Sequence, residues 1–181
     1  MQVQSKDEPA KTSTGQTPPT RTATPALQVT LGPIYDAYFN VQMALAQDDL
    51  DSARVAAGDL KKLTDAVNPE VFSKADQKNW KKLSGLISAS SGKIAATDKV
   101  NDARDAFFEL SQATIDLHTA FGHAGKESFY LTYCPMARGN QGAHWLQNVD
   151  VVWNSYYGSQ MLRCGSIQKE FKPASMGTAP E

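Results

Sequence analysis

The stretch Val100–Phe121 reads VNDARDAFFELSQATIDLHTAF and is the clearest helical signal in the chain. Its apolar positions recur three and four residues apart, which is the spacing of one face of an α-helix in an antiparallel bundle. Those positions are Val100, Ala103, Phe107, Leu110, Thr114, Leu117 and Phe121. Gly122 follows directly, and glycine is typical of the position just past a helix end. The pattern predicts a helix that fills this stretch and ends at Gly122.

Two helices are predicted near the start of the folded part. The first is expected at about 33–47, because Pro33 suits a first turn and apolar residues follow at helical spacing. The second is expected at about 50–67, with Asp48 or Asp49 as its N-cap. Its inward face carries small residues, which allow a neighbouring helix to approach closely.

A third helix is predicted at about 74–96, with Ser73 as its N-cap. Glycine costs about 1 kcal/mol in a helix interior, so the Ser/Gly-rich segment 88–92 predicts a kink or break. Short connections between four such helices predict an all-α fold, an up-down-up-down four-helix bundle.

Composition divides the 181 residues into one domain and two tails. Segment 1–28 is rich in Thr, Pro, Ser, Gln and Lys and has little to bury, so we expect a disordered linker or tail. The domain is expected over 29–172, and 173–181 is expected to form a second disordered tail. A linker suggests that the chain is the C-terminal piece of a longer protein; a cloning or gene-model artefact is the alternative.

Charge and hydropathy exclude several partner classes. The net charge is −1 and the pI is about 6.3, with no Lys/Arg run, which argues against nucleic acid and anionic membranes as partners. No apolar run approaches the roughly 18 residues that span a bilayer, and the first residues lack the apolar core of a signal peptide. A cytosolic protein and a fragment whose targeting signal lies elsewhere both fit these observations.

The segment 130–165 holds the residues that can do chemistry. It contains both cysteines, two of the three tryptophans and two of the five methionines. We expect an irregular segment, rich in Cys, Met and aromatic residues, that packs on one end or face of the bundle through its aromatic side chains.

The spacing of sulfur within this segment predicts a metal site. Cys134 and Met136, the first arm, share one face if 130–136 is extended, because strand side chains alternate. Met161 and Cys164, the second arm, share one face of a helical turn. Thiolate and thioether are soft donors that select Cu(I) or Ag(I) over magnesium and calcium, and more weakly over Zn(II).

Two other interpretations of the same residues stay open. Cys134 and Cys164 are also typical of a structural disulfide in an exported chain. Met136 and Met161 can equally fill gaps in a core.

The three histidines are candidate auxiliary ligands. His118 is expected in the last turn of the fourth helix, where a cation interacts favourably with the helix dipole. His123 is expected in a short polar loop, either solvated or as an auxiliary ligand. His144 lies at the centre of the motif segment and is the preferred third ligand. Imidazole would broaden the site towards Cu(II) or Zn(II).

Enzymatic chemistry is not predicted. No helix N-terminus or cationic setting marks Cys134 as a nucleophile, and no second cysteine stands at the redox spacing. The sequence shows no glycine-rich phosphate loop and no paired carboxylates. We therefore expect a binding module and not an enzyme.

Three motifs resemble the DUF3347 domain. They are Tyr-Cys-Pro-Met-Ala at 133–137, Gly-Ala-x-Trp-Leu at 142–146 and Tyr-Tyr-Gly-x-x-Met-Leu-x-Cys-Gly at 156–165. The likeness is expected to span about 34–169 and to be strongest in the last third. Two positions depart from the family pattern: His144, where an aromatic is common, and Ser155, where proline is usual and where serine should leave the turn less rigid.

The resemblance implies a function. That domain occurs alone in small exported bacterial proteins and at the C-terminal end of CusB-like periplasmic adaptors of heavy-metal efflux systems. By this likeness Cys134, Met136, Met161 and Cys164 fall on positions expected to bind copper. A periplasmic module is implied that buffers Cu(I) or Ag(I) or passes it to efflux-pump subunits: an inner-membrane RND transporter, an adaptor or a metallochaperone. The alternative is a structural or docking module held by a Cys134–Cys164 disulfide.

Overall fold

The computed structural model describes residues 23–174. Four long helices occupy the first part, and a small sheet follows them. The helices are α1 (Pro25–Ala46), α2 (Leu50–Ala66), α3 (Lys74–Ala96) and α4 (Val100–Phe121), with a 3-10 turn at Pro69–Val71. The later elements are β1 (Phe129–Cys134), a short helical turn α5 (Ala137–Asn140), β2 (Ala143–Gln147), a 3-10 turn at Gly158–Gln160 and β3 (Ser166–Phe171).

Helices α2, α3 and α4 confirm the predicted positions, and their ends show why. Asp49 caps α2 by accepting the Ser52 N–H at 2.9 Å, and Ser73 caps α3 by accepting the Asp76 N–H at 3.2 Å. Gly122 ends α4 and donates its N–H to the His118 carbonyl at 2.7 Å. The predicted apolar face of α4 is buried, apart from the half-buried Val100.

Helix α1 begins eight residues earlier than predicted. Thr24 is its N-cap, accepting the Leu27 N–H at 3.3 Å, and Pro25 occupies the first turn. Leu27 and Leu31 are buried, so the apolar face extends upstream and stabilises the added turns. Pro33 therefore lies inside the helix and not in its first turn. Residues 25–28 of the expected tail are helical, whereas 1–22 and 175–181 lie outside the described residues.

The break predicted in α3 at 88–92 is wrong, because the helix runs through this segment without interruption. The hydroxyls of Ser90 and Ser91 each donate to a carbonyl one turn earlier at 2.6 Å. Both hydroxyl groups are therefore hydrogen-bonded although they are buried. Ile87 and Ile94 are fully buried on either side. Their packing outweighs the weak helix propensity between them.

The fold is mostly helical, but the all-α prediction missed a sheet. The three strands are antiparallel in the order β2-β1-β3. Two of them lie in the segment that we expected to be irregular. They escaped detection because strands of five and six residues give few alternations, and Trp145 and Leu146 are both buried, which breaks the period of two.

The sheet packs on the helices through β2, which contacts α4 and α1. Trp145 is fully buried, and the hydroxyl of Tyr38 in α1 accepts the Leu146 N–H at 3.2 Å. The same hydroxyl lies 3.0 Å from Ser111 Oγ in α4. These contacts fix the motif segment on the helices, with aromatic side chains at the junction. Within residues 23–174, no helix has the length and apolar character needed to cross a membrane.

Candidate metal centre

The two cysteines meet in the folded chain. Cys134 is the last residue of β1, and Cys164 lies in the turn that leads into β3. Their Sγ atoms are 3.2 Å apart, Cys134 is fully buried and Cys164 is half-buried. The pairing of Tyr133 with Ser166 across β1 and β3 brings them together. Both are free thiols.

Gly165 allows this close approach. It has a φ of 125°, which side chains rarely adopt, and a Cβ there would lie 2.6 Å from the Tyr133 carbonyl oxygen. Any larger residue would push the second arm away from β1. Glycine beside Cys164 is therefore part of what sets the distance between the sulfurs.

The first arm differs from the prediction. Strand β1 ends at Cys134, and Met136 has a φ of −84° and a ψ of −16°, so it lies in a turn. Cys134 is fully buried whereas Met136 is 42% exposed. Strand alternation therefore does not place these two sulfurs on one face. Pro135 explains the end of the strand, since proline cannot donate to a ladder.

The second arm is a turn, but Met161 has a φ of −146° and a ψ of 50°, which is not helical backbone. The Cys164 N–H donates to the Met161 carbonyl at 2.9 Å, and both residues are half-buried. Asn154 holds this turn from inside: its Nδ2 donates to the Cys164 carbonyl at 2.8 Å. Its Oδ1 accepts the Tyr156 and Tyr157 N–H groups, so one buried amide fixes both ends of the loop.

Asp48 and Arg104 attach the second arm to the helices. Asp48 accepts the Ser159 N–H at 2.8 Å and pairs with the Arg104 guanidinium. Ser159 is the main reason that the pKa of Asp48 is below its usual range, first through its side chain and then through its N–H, and Arg104 adds to the effect. Arg104 also donates to the Ser155 carbonyl at 3.0 Å. Gly158 lies against this pair, so a side chain at that position would collide with it.

Ser155, which we expected to leave its turn less rigid, is held by hydrogen bonds to Gln42. It is fully buried, donates to the Gln42 carbonyl at 2.7 Å and accepts from Gln42 Nε2 at 2.9 Å. Gln42 Nε2 also donates to the Trp153 carbonyl at 2.9 Å. Hydrogen bonds to α1 therefore hold the turn at Ser155.

His144 lies on the other face of the sheet from the cysteines. It pairs with Tyr133, and the two rings are 4.5 Å apart, whereas Cys134 pairs with Ala143. Neighbouring residues of a strand point to opposite faces, so the His144 and Cys134 side chains are separated by the sheet. The preferred third ligand is thus not where the sequence placed it.

His118 and His123 form a separate buried pair at the opposite end of β1. Nε2 of His118 lies 2.9 Å from Nδ1 of His123, which stacks on Phe129 at 3.7 Å. Phe129 and Cys134 are five residues apart on an extended strand, which is about 17 Å. Neither histidine is the solvated or cationic residue we expected, because burial lowers both pKa values, that of His118 to about 4.

The two cysteines could bind a cation, which would compete with protons for the sulfur atoms. The hydrogen bond with Cys134 is the main cause that raises the pKa of Cys164, followed by burial and by the charge of Cys134. A metal ion bound between the two sulfurs would displace both thiol protons. No three His, Cys, Asp or Glu side chains within residues 23–174 form a metal-binding group. A metal at this pair would therefore draw further donors from elsewhere, methionine sulfur included.

Sequence reasoning missed the supporting role of four residues: Asn154, Asp48, Arg104 and Gln42. For Asp48 the sequence did contain a signal. Two aspartates precede helix α2, which needs only one N-cap, so the other is available for a different contact. The others depend on contacts between distant segments, which no local pattern carries.

Comparison with known proteins finds one family. Residues 34–126 match the model described as "Protein of unknown function (DUF3347)". The match covers the helical part and ends before β1, whereas we expected the likeness to be strongest in the last third. No curated protein and no solved structure matches. Because the match covers just over half of the 181 residues, the chain belongs to the DUF3347 family.

Proposed function

We propose that this protein is a metal-binding module that captures Cu(I) or Ag(I) through sulfur. The observation that carries the proposal is the 3.2 Å contact between the Sγ atoms of Cys134 and Cys164, which are thirty residues apart in the chain. Each cysteine also has a methionine within three residues. Two soft anionic donors with thioethers nearby suit a soft monovalent cation better than Zn(II).

A small movement would admit the ion. Sulfurs about 2.3 Å from a shared metal stand about 3.8 Å apart in tetrahedral geometry, and further apart when three or two donors bind. The thiols would have to separate by about 0.6 Å or more from their present contact. Cys164 is the half-buried partner on a turn, so it is the side that would move.

The methionines would allow the bound ion to exchange. Thioethers stay unprotonated and form weak bonds to Cu(I), so they can pass an ion on without waiting for a proton. Met136 is 42% exposed beside the buried Cys134, which suits first contact with an ion or with an acceptor protein. Affinity should rise with pH, because the thiols must be deprotonated.

Family resemblance supports the cellular setting that we propose. The module would act in the periplasm, either alone or joined to a CusB-like adaptor, and would buffer the ion or pass it to an RND-type efflux system. Its partners would be the inner-membrane transporter, an adaptor or a periplasmic metallochaperone.

We also infer that α1 to α4 form an up-down-up-down four-helix bundle. The connections between them are short, and contacts join α1 with α2, α2 with α3, α3 with α4 and α1 with α4. Short connections favour antiparallel neighbours.

A Cu(I) competition titration under anaerobic, reducing conditions tests the proposal. Wild type should bind one equivalent tightly, and Cys134→Ser/Cys164→Ser should lose this binding. Met136→Ala/Met161→Ala should weaken it by about tenfold, the equivalent of about 1.4 kcal/mol. Met43→Leu in α1 is the matched control and should bind as wild type. Cu(I) binding that persists without the cysteines would contradict the proposal.

A second candidate is a docking module stapled by a Cys134–Cys164 disulfide, and the same sulfur contact favours it. Two thiols would lose two protons and two electrons to a disulfide-bearing oxidant. Closing a loop of this length would stabilise the fold by about 4 kcal/mol. Alkylation and mass spectrometry of air-exposed protein would show it, and full alkylation of both cysteines without reductant would exclude it.

A further inference from the structure

A cavity of about 440 Å³ lies at the C-terminal end of α4, at the opposite end of β1 from the cysteines. Apolar side chains of Ile115, Leu131 and Phe171 form much of its wall. Four polar side chains also line it: Gln28, His118, Thr119 and Lys169. The cavity thus combines an apolar surface with a few polar groups, which is typical of small-molecule sites.

The hydrogen bonds of the two histidines determine which ring nitrogen of His118 can accept a hydrogen bond. Nε2 of His123 lies 3.0 Å from the Glu127 carbonyl, which can only accept, so this nitrogen carries the proton. Nδ1 of neutral His123 is then an acceptor, and Nε2–H of His118 donates to it at 2.9 Å. Neutral His118 therefore keeps Nδ1 as an unprotonated acceptor.

Gln28 supplies a second acceptor. Its side chain is 2% exposed, and its Nε2 donates to the Phe121 carbonyl at 3.0 Å. Its Oε1 is buried and has no hydrogen-bond partner within residues 23–174. An unsatisfied buried oxygen costs about 1–3 kcal/mol, and Gln28 lines the cavity, so a donor from a ligand bound there would remove this cost.

Lys169 supplies the positive charge. It stands opposite Leu131 in the pairing of β3 with β1, and its Nζ lies 4.8 Å from the centre of the Phe171 ring. Its charge is close enough to His118 to help lower the pKa of that imidazole. A carboxylate at the cavity mouth would therefore meet a cation, while its apolar body meets Phe171 and Leu131.

We propose that this cavity binds a small organic acid with an apolar or aromatic body and one hydrogen-bond donor. The carboxylate would pair with Lys169, and the donor would reach the acceptors on Gln28 and His118. This site is separate from the cysteine pair and does not depend on metal binding.

Calorimetric titration of the full chain with 4-hydroxyphenylacetate tests the proposal. This probe carries a carboxylate, an aromatic ring and a phenolic donor. Saturable one-to-one binding is expected for wild type. Lys169→Gln should weaken it by about fivefold, as expected for the loss of one partly exposed ion pair. Lys172→Gln is the matched control, because Lys172 is exposed, near in sequence and outside the cavity wall, and it should bind as wild type.

Two related probes separate the two features of the ligand. Phenylacetate lacks the donor and tyramine replaces the carboxylate with an amine, so both should bind more weakly than 4-hydroxyphenylacetate. Absence of saturable binding at millimolar probe would overturn the proposal. Equal binding by Lys169→Gln and wild type would overturn it as well, and matching unfolding midpoints would verify that both variants are folded.

Discussion

Gly158 is the residue whose substitution should disturb the second arm most. Its φ is 59°, and a Cβ would collide with Asp48 and Arg104, the pair that attaches this arm to the helices. We expect Gly158→Ala to lower the free energy of unfolding by about 2 kcal/mol or more, through strain and the broken pair. Urea denaturation measures the change.

Gly85→Ala is the matched control for that substitution. Gly85 lies inside α3 with open space where a Cβ would be, so alanine should stabilise the protein by about 1 kcal/mol through helix propensity. If both alanines shifted stability in the same direction, the steric account of Gly158 would fail.

His118 should make the fold sensitive to mild acid. Its pKa falls from 6.5 when unfolded to about 4 when folded, mainly through burial, so the unfolded chain binds more protons between these values. Stability is therefore full above pH 6.5 and declines as the pH falls towards 4, by about 3 kcal/mol in total. His123, whose pKa is also lowered, acts in the same direction.

Urea titrations at several pH values between 4 and 7 measure this decline. His118→Gln should start from lower stability and show a flatter slope over the same window. An unchanged slope in His118→Gln would assign the acid sensitivity to other groups.

The first turn of helix α1 should contribute measurably to the stability of the fold. A chain that begins at residue 29 loses the Thr24 cap, the buried Leu27 and the bond from Gln28 to the Phe121 carbonyl. These losses should lower the free energy of unfolding by about 2–4 kcal/mol relative to a chain that begins at residue 23. Equal thermal midpoints would mean that the first turn contributes nothing.

The helices could be predicted well because their signals are local. Asp49 and Ser73 are caps, and Gly122 is a stop, each readable within four residues of the helix end. The predicted start of α1 was too far along the chain because proline is common in a first turn and we assigned Pro33 to it. In the structure Thr24 is the N-cap and Pro25 lies in the first turn. The strands were missed partly because β1 pairs with β3, a segment more than thirty residues further along, and local patterns carry no such pairing.

In the whole molecule the two candidate cysteines meet, but their surroundings differ from those we predicted. Spacing indicated that Cys134 and Cys164 could act together, and the structure brings their sulfurs into contact. Strand alternation failed for Met136, since the strand ends before it. The histidines were grouped with the cysteines by closeness in sequence, whereas the sheet separates His144 and the length of β1 separates His118 and His123.

X-ray absorption at the copper edge of the Cu(I)-loaded protein would identify the atoms that bind the ion. We expect a first shell made only of sulfur at about 2.3 Å, by analogy with other metal–sulfur bonds. Met136→Ala/Met161→Ala should reduce the number of sulfur neighbours, and Met43→Leu should leave it unchanged. A first shell that contains imidazole nitrogen, or one that is unaltered by the loss of Cys134 and Cys164, would contradict the claim that this domain holds copper through its paired thiols.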